Sequence, residues 1–341
     1  MFEEFFGLKC NPFRINPDPR SLLLTPNTRE ALGCLVYALH TRRGFVMLTG
    51  EVGTGKTTLL NLILAHLCSK QAATAFIFNP RMEALDFIEF MMQDFGVPIK
   101  GKTKGQLLFE FNQWLLERHR EGQEVVLVID EAHNLSADLM EEIRLLTNLE
   151  TSSEKLLQIV LSGQPELVDK LNLPEMRQLK QRITLRCRTF PLNASETTEY
   201  IARRIQLAGG NAVQIFSPKS VAAIYHYSRG IPRIVNVLCE HALITSFAEQ
   251  QKLVIPETVT AVAQELQLDF ETPSASSRAE TSYVPMSAVN GQREATKKVE
   301  PVKARVEGVR CAESTTHCES PKNPVSRTYP RFPRRNQLPL R

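Results

Sequence analysis

A chain of 341 residues with 43% hydrophobic and 23% charged residues has a globular composition, long enough for two folded domains and a tail. No run of eighteen apolar residues occurs, and acidic residues stand near the start where a signal peptide needs basic ones, so the sequence predicts a cytoplasmic protein without a membrane-spanning segment. The net charge of +4 sits at one end: residues 1–270 carry 28 Lys+Arg against 30 Asp+Glu, and residues 271–341 carry 13 against 7, so the folded part lacks the overall basic signature of a nucleic-acid binder.

In chain order, Phe2 to Pro26 is rich in aromatics and proline, as in Asn11-Pro12-Phe13 and Asn16-Pro17-Asp18-Pro19. Such a stretch resists helix and reads as an extended strap over the core, serving either packing or the adenine pocket. Thr28 to Thr41 is an amphipathic helix closed by Gly44. A buried strand, Phe45 to Leu48, then runs into Gly50-Glu51-Val52-Gly53-Thr54-Gly55-Lys56-Thr57-Thr58, and Leu59 to Leu67 continues with helical spacing. This is G-x-x-x-x-G-K-T in its required setting between strand and helix. Its glycines let backbone N–H groups turn inward around a β-phosphate. Lys56 reaches the β- and γ-phosphates of ATP, and the Thr57 hydroxyl holds Mg²⁺.

Ala73 to Asn79 reads as a second strand, followed by helices over Leu85 to Phe95 and Gly105 to Arg120 with a turn at Gly96 to Lys104. Glu124 to Glu131 is a continuous apolar run ending in two acids, the pattern of a central parallel strand whose functional residues emerge at its carboxyl end. Asp130 fits the Mg²⁺ shell, and Glu131 fits the acid that orients or deprotonates the attacking water. A helix over Leu139 to Leu149 leads to a strand, Leu156 to Leu161, that ends in Ser162-Gly163-Gln164-Pro165. Ser162 or Gln164 could sense a γ-phosphate there, or be satisfied turn residues. Glu175 to Gln181 looks helical and Ile183 to Phe190 a fifth strand, with Arg182 between them. A guanidinium there suits a γ-phosphate bound by a neighbouring subunit, with Arg177, Arg186 and Arg188 as competitors.

From Pro191 the period is helical: Ser195 to Leu207 with Ser195 as N-cap, Ser217 to Ser228, Pro232 to Glu249 and Pro256 to Leu268. Arg233 in the first turn of a helix is disfavoured by the macrodipole, which suggests an anionic partner such as nucleotide phosphate. Residues 271–341 hold eight Pro and no sustained period, and read as a disordered basic tail. The seven cysteines scatter without C-x-x-C, and most read as small buried apolar residues.

These motifs resemble the AAA+ ATPase superfamily, and within it the ExeA/GspA-like ATPases of the general secretion pathway. The resemblance covers about residues 1–268. It rests on Phe6-Gly7-Leu8, Pro12-Phe13, Pro17-Asp18-Pro19, Arg29-Glu30-Ala31-Leu32, Arg43-Gly44-Phe45, the phosphate loop, Val128-Ile129-Asp130-Glu131-Ala132-His133, Gly163-Gln164-Pro165-Glu166-Leu167, Leu179-Lys180-Gln181-Arg182-Ile183 and Gly230-Ile231-Pro232-Arg233. It implies an α/β P-loop NTPase core (residues 1–192) with a five-stranded parallel sheet and helices on both faces, an α-helical lid (193–268) and a disordered tail (269–341). It also implies Arg182 as an arginine finger acting in trans, Arg233 as the lid sensor and Ser162 to Gln164 as the first sensor. A homo-oligomer hydrolysing ATP with Mg²⁺ is expected, acting on a partner in an envelope secretion or export complex, in the cytoplasm or peripherally at the inner membrane. Secretion-pathway members carry a membrane span and a peptidoglycan-binding domain after the ATPase, where this sequence reads as the basic tail. The alternatives are a DNA-associated ATPase of the transposition-helper type and a nucleotide-gated scaffold with little turnover.

Overall fold

The computed structural model describes residues 1–14, 21–99, 103–151 and 154–268, all within one compact unit, Met1–Phe270. Five strands form the sheet: β1 (Phe45–Thr49), β2 (Ala73–Ile77), β3 (Val125–Ile129), β4 (Gln158–Gly163) and β5 (Leu185–Arg188). All pair in parallel, in the order β2-β3-β4-β1-β5. Every residue of β1, β3 and β4 is buried, which is why these strands read as apolar runs in the sequence.

Alternation along the strands divides their side chains between two cores. Three helices, α1 (Phe2–Phe5), α2 (Pro26–His40) and α3 (Lys56–Ser69), come first in the chain. Phe45, Met47, Leu127, Ile129, Ile159 and Leu161 face one cluster, which includes residues of α4 (Ala84–Asp94), α5 (Lys104–Arg120), α6 (Ala137–Leu146), α7 (Glu166–Leu171) and α8 (Arg177–Arg182). Val46, Leu48, Val126, Val128 and Val160 face the other, against α2 and α3. Helices therefore cover both faces, as expected.

A third core joins α9 (Ala194–Leu207), α10 (Ala212–Ile215), α11 (Pro218–Ser228), α12 (Pro232–Ala248) and α13 (Pro256–Glu265). It also takes in Leu8, Phe13 and Leu23, and Phe13 packs edge-on against Phe216. The opening segment differs from expectation at its start: it begins with a short helix, α1, because the prolines that resist helix start only at Pro12. Its buried apolar residues Leu8, Phe13 and Leu23 belong to the helical layer. Two further differences are local. The N-cap of α9 is Asn193, which forms a capping box with Glu196 in place of the expected Ser195 cap, and α6 ends at Leu146, three residues early. Pro17-Asp18-Pro19, residues 100–102 of the expected turn, the tail at 269–341, Cys311 and Cys318 lie outside the described residues. Of the other cysteines, Cys187 and Cys239 are buried, Cys10 and Cys34 half-buried and Cys68 exposed. No described helix is long and apolar enough to cross a membrane.

Candidate nucleotide site

Because β3, β4 and β1 are neighbours, the loops after their carboxyl ends converge, which is where open parallel sheets place ligands. The loop after β1 curls from Gly50 to Gly55, and α3 begins at Lys56. Gly53 has φ +78°, and a Cβ there would lie 2.7 Å from the Arg233 Cβ, so this turn requires glycine. Lys56 is 6% exposed and donates from Nζ to the carbonyls of Gly50 at 2.8 Å and Glu51 at 3.0 Å. Burial pulls its pKa below the usual lysine range, opposed by the carboxylates of Glu131, Asp130, Glu51 and Glu166. Thr54 Oγ1 donates to the Glu51 carbonyl at 2.7 Å and meets Thr189 Oγ1 at 2.8 Å, tying the loop to the segment after β5.

Asp130 is buried directly after β3 and accepts from three donors. Thr57 Oγ1 donates to its Oδ2 at 2.8 Å; Ser162 Oγ at 2.8 Å and the Glu131 N–H at 3.0 Å donate to its Oδ1. A hydroxyl and a carboxylate oxygen beside a phosphate loop suit a hard cation such as Mg²⁺, which keeps waters and takes its other ligands from phosphates. Among the described residues no group of three His, Cys, Asp or Glu side chains could hold a metal by itself.

Glu131 adopts φ +53° and leads a short 3-10 turn, Ala132–Asn134. Its carboxylate lies 3.5 Å from His133 Nδ1, and the Gln164 amide stands 3.4 Å from Glu131 Oε2 and 3.1 Å from His133 Nε2. The Gln164 N–H also stands 3.4 Å from His133 Nδ1, so the ring is held between Glu131 and Gln164. Ser162 therefore supports Asp130, and Gln164 supports Glu131.

A cavity of about 330 Å³ opens over the loop, lined by Val52, Gly53, Gly55, Lys56, Thr57, Thr58 and Glu131 from the sheet side. Tyr200, Arg204, Arg233 and Asn236 complete it from the helical layer. The Arg233 N–H donates to the Gly53 carbonyl at 3.3 Å, which brings the start of α12 onto the loop. Tyr200, Arg204 and Asn236 were not foreseen. Arg204 lies over the Tyr200 ring at 5.2 Å and donates to the Pro12 and Arg14 carbonyls at 3.0 and 3.2 Å, while the Tyr200 hydroxyl donates to Asn236. Residues joined across some 190 positions leave no local pattern to read.

Arg182 lies elsewhere. β5 runs parallel to β1 with Leu185 opposite Val46, and the Thr184 N–H donates to the Phe45 carbonyl, so Arg182 sits at the amino edge of the sheet. The five residues of β1, about 16 Å of strand, separate that edge from the chain's own phosphate loop. Among the competitors, Arg186 and Arg188 lie on β5 itself, with Arg188 over the Phe190 ring at 5.6 Å.

The AAA domain family model matches residues 39–171. General secretion pathway protein A of Aeromonas hydrophila is 40% identical over 268 residues, covering 78% of this chain. The chain carries an AAA domain. It spans 48% of the length of that secretion-pathway relative, to which this AAA protein is similar through most of its own length. Among solved structures, Cdc6p from Pyrobaculum aerophilum is 18% identical with a TM-score of 0.56, covering 77% of this chain and 70% of that one. The Aeropyrum pernix ORC2 protein, solved as ADPNP–ADP complexes, is 15% identical with a TM-score of 0.54, covering 70% and 66%. At these identities the AAA fold is what is shared.

Proposed function

We propose that this AAA protein is a Mg²⁺-dependent ATPase that hydrolyses ATP between copies of itself, and that its lid movement drives or regulates assembly of a cell-envelope secretion or export system. The observation that carries the reading is the convergence of Lys56, Thr57, Asp130 and Glu131 on one edge of the sheet. Lys56 offers an ammonium to the β- and γ-phosphates, and the loop N–H groups cradle them. Thr57 and Asp130 would hold Mg²⁺, which when bound neutralises charge on the phosphate oxygens. Glu131 orients the attacking water and accepts its proton, with His133 and Gln164 holding its carboxylate. In this reading residues 1–192 are the ATPase core and 193–268 the lid, and Arg233 reports the nucleotide to the lid.

Arg182 cannot serve the phosphates of its own chain from the opposite edge, so it acts on those of a neighbour. Similarity to general secretion pathway protein A supports an envelope partner, met at the inner membrane's cytoplasmic side. The test is ATPase rate per subunit against protein concentration for wild type, Glu131→Gln and Arg182→Ala, with and without DNA. A rate that rises with concentration and collapses in both variants is expected. A concentration-independent rate that survives Arg182→Ala overturns the interfacial reading, absent turnover favours a nucleotide-gated scaffold, and stimulation by DNA favours the transposition-helper alternative.

A further inference from the structure

Arg182, half-buried at the end of α8, is anchored by a neutral side chain. Its Nη1 donates to Thr147 Oγ1 at 2.7 Å. Thr147 follows α6 and is 3% exposed, and its own hydroxyl proton goes to the Arg144 carbonyl at 2.6 Å. A hydroxyl has one donor and two lone pairs, so the bond to Arg144 leaves Oγ1 facing Arg182 as an acceptor only. The Thr147 carbonyl in turn accepts from Lys155 Nζ at 3.1 Å, which fixes the backbone on the other side.

Acidic residues stand near, yet they are engaged with other cations. Glu141 takes two bonds of 2.7 Å from Arg144, and Glu150 pairs with Lys155. Among the described residues Arg182 forms no ion pair with a carboxylate. A neutral anchor orients the guanidinium without neutralising it, so its charge and remaining donors stay available to an incoming anion. An ion-paired arginine would have to give up its carboxylate before meeting a phosphate.

We propose that Thr147 is the positioning residue of Arg182, holding its guanidinium toward the nucleotide phosphates bound by a second copy of the chain. This rests on the interfacial reading above. The experiment mixes two full-length variants that are each impaired alone. Arg182→Ala keeps an intact phosphate site, Lys56→Ala keeps an intact Arg182, and together they regain turnover if Arg182 acts across an interface. The same mixture is then made with Lys56→Ala/Thr147→Val and with Lys56→Ala/Thr147→Ser.

Losing one hydrogen bond to a charged group predicts a drop in kcat of about tenfold for the Val-containing mixture, with KM for ATP unchanged, and recovery with Ser. The phosphate site that turns over is unaltered in every mixture, so a defect must come from the donor of Arg182, and thermal melting identifies any donor that has failed to fold. If the Val donor unfolds, the Ser donor carries the comparison with Thr147→Ala, which leaves room for a water. Full activity from a folded Val or Ala donor overturns the role of Thr147 while leaving the interfacial reading intact. Failure of the Arg182→Ala and Lys56→Ala pair to complement, with Arg182→Ala alone as active as wild type, overturns both.

Discussion

The two edges of the sheet are built to different standards. At the carboxyl edge Asp130 is buried and receives three donors, and Lys56 is buried with two acceptors, so each charge is held before any nucleotide arrives. At the amino edge Arg182 is half-buried and tied to a neutral hydroxyl. Preorganisation of this kind matters most where charge develops in the transition state, and a group that must reach across an interface cannot be buried in its own subunit. The difference fits a catalytic site divided between two copies, with the rigid half on one and the reaching half on the other.

The sharpest way to break this comparison is at the reaching half. Arg182→Ala should lower kcat by about 10³-fold, the lower end for an arginine finger, while binding of a fluorescent ATP analogue stays within about twofold. A fall in binding alone would return Arg182 to an ordinary surface role. The rigid half comes next: Glu131→Gln keeps the shape of the side chain but removes the base, and should cost about 10²-fold in kcat with nucleotide still bound. Unchanged hydrolysis in that variant would move the proton to another acceptor and leave the carboxylate structural.

Ser162 separates two roles that its position at the carboxyl end of β4 left open. Its hydroxyl is fully buried and donates to Asp130 Oδ1, so Ser162→Ala removes one of three donors from a charged acceptor. About a tenfold loss of activity is expected, accompanied by a higher Mg²⁺ requirement, because Asp130 is less well held. A loss with unchanged Mg²⁺ dependence would instead assign Ser162 to sensing phosphate.

Much of the carboxyl edge was legible in the sequence because its chemistry is local. The phosphate loop is nine consecutive residues, Gly50 to Thr58, and Asp130 and Glu131 end a strand so thoroughly buried that it contains only Val, Leu and Ile. Arg233, which lines the cavity over that loop, stands in the first turn of α12, where the helix dipole disfavours a cation, and that is a local feature too. The amino edge and the helical wall were harder to read because they exist only through tertiary placement. Thr147 looks like any residue closing a helix, and Tyr200 and Arg204 sit in an amphipathic helix whose polar face gives no hint of Pro12 or Arg14. α7 is six residues long, too short for a helical period to stand out, and follows Pro165 in what reads as a turn.

The smallest effect tests the cost of holding the rigid half in readiness. Desolvation is the largest influence on Lys56 and outweighs its four carboxylate neighbours, so its folded pKa lies below that of an unfolded lysine. The sign follows: at neutral pH the folded state carries a buried charge that unfolding would return to water, and that penalty declines only as pH rises through the lowered pKa toward the unfolded value of about 10.4. Lys56→Met should therefore raise the melting temperature of the nucleotide-free protein, by about 2–4 °C for each kcal/mol relieved in a domain of this size, with the gain shrinking as pH is raised. The same variant should lose nucleotide binding. A lower melting temperature would mean that the bonds to the Gly50 and Glu51 carbonyls outweigh desolvation, making Lys56 a structural support of the loop as well as its phosphate ligand.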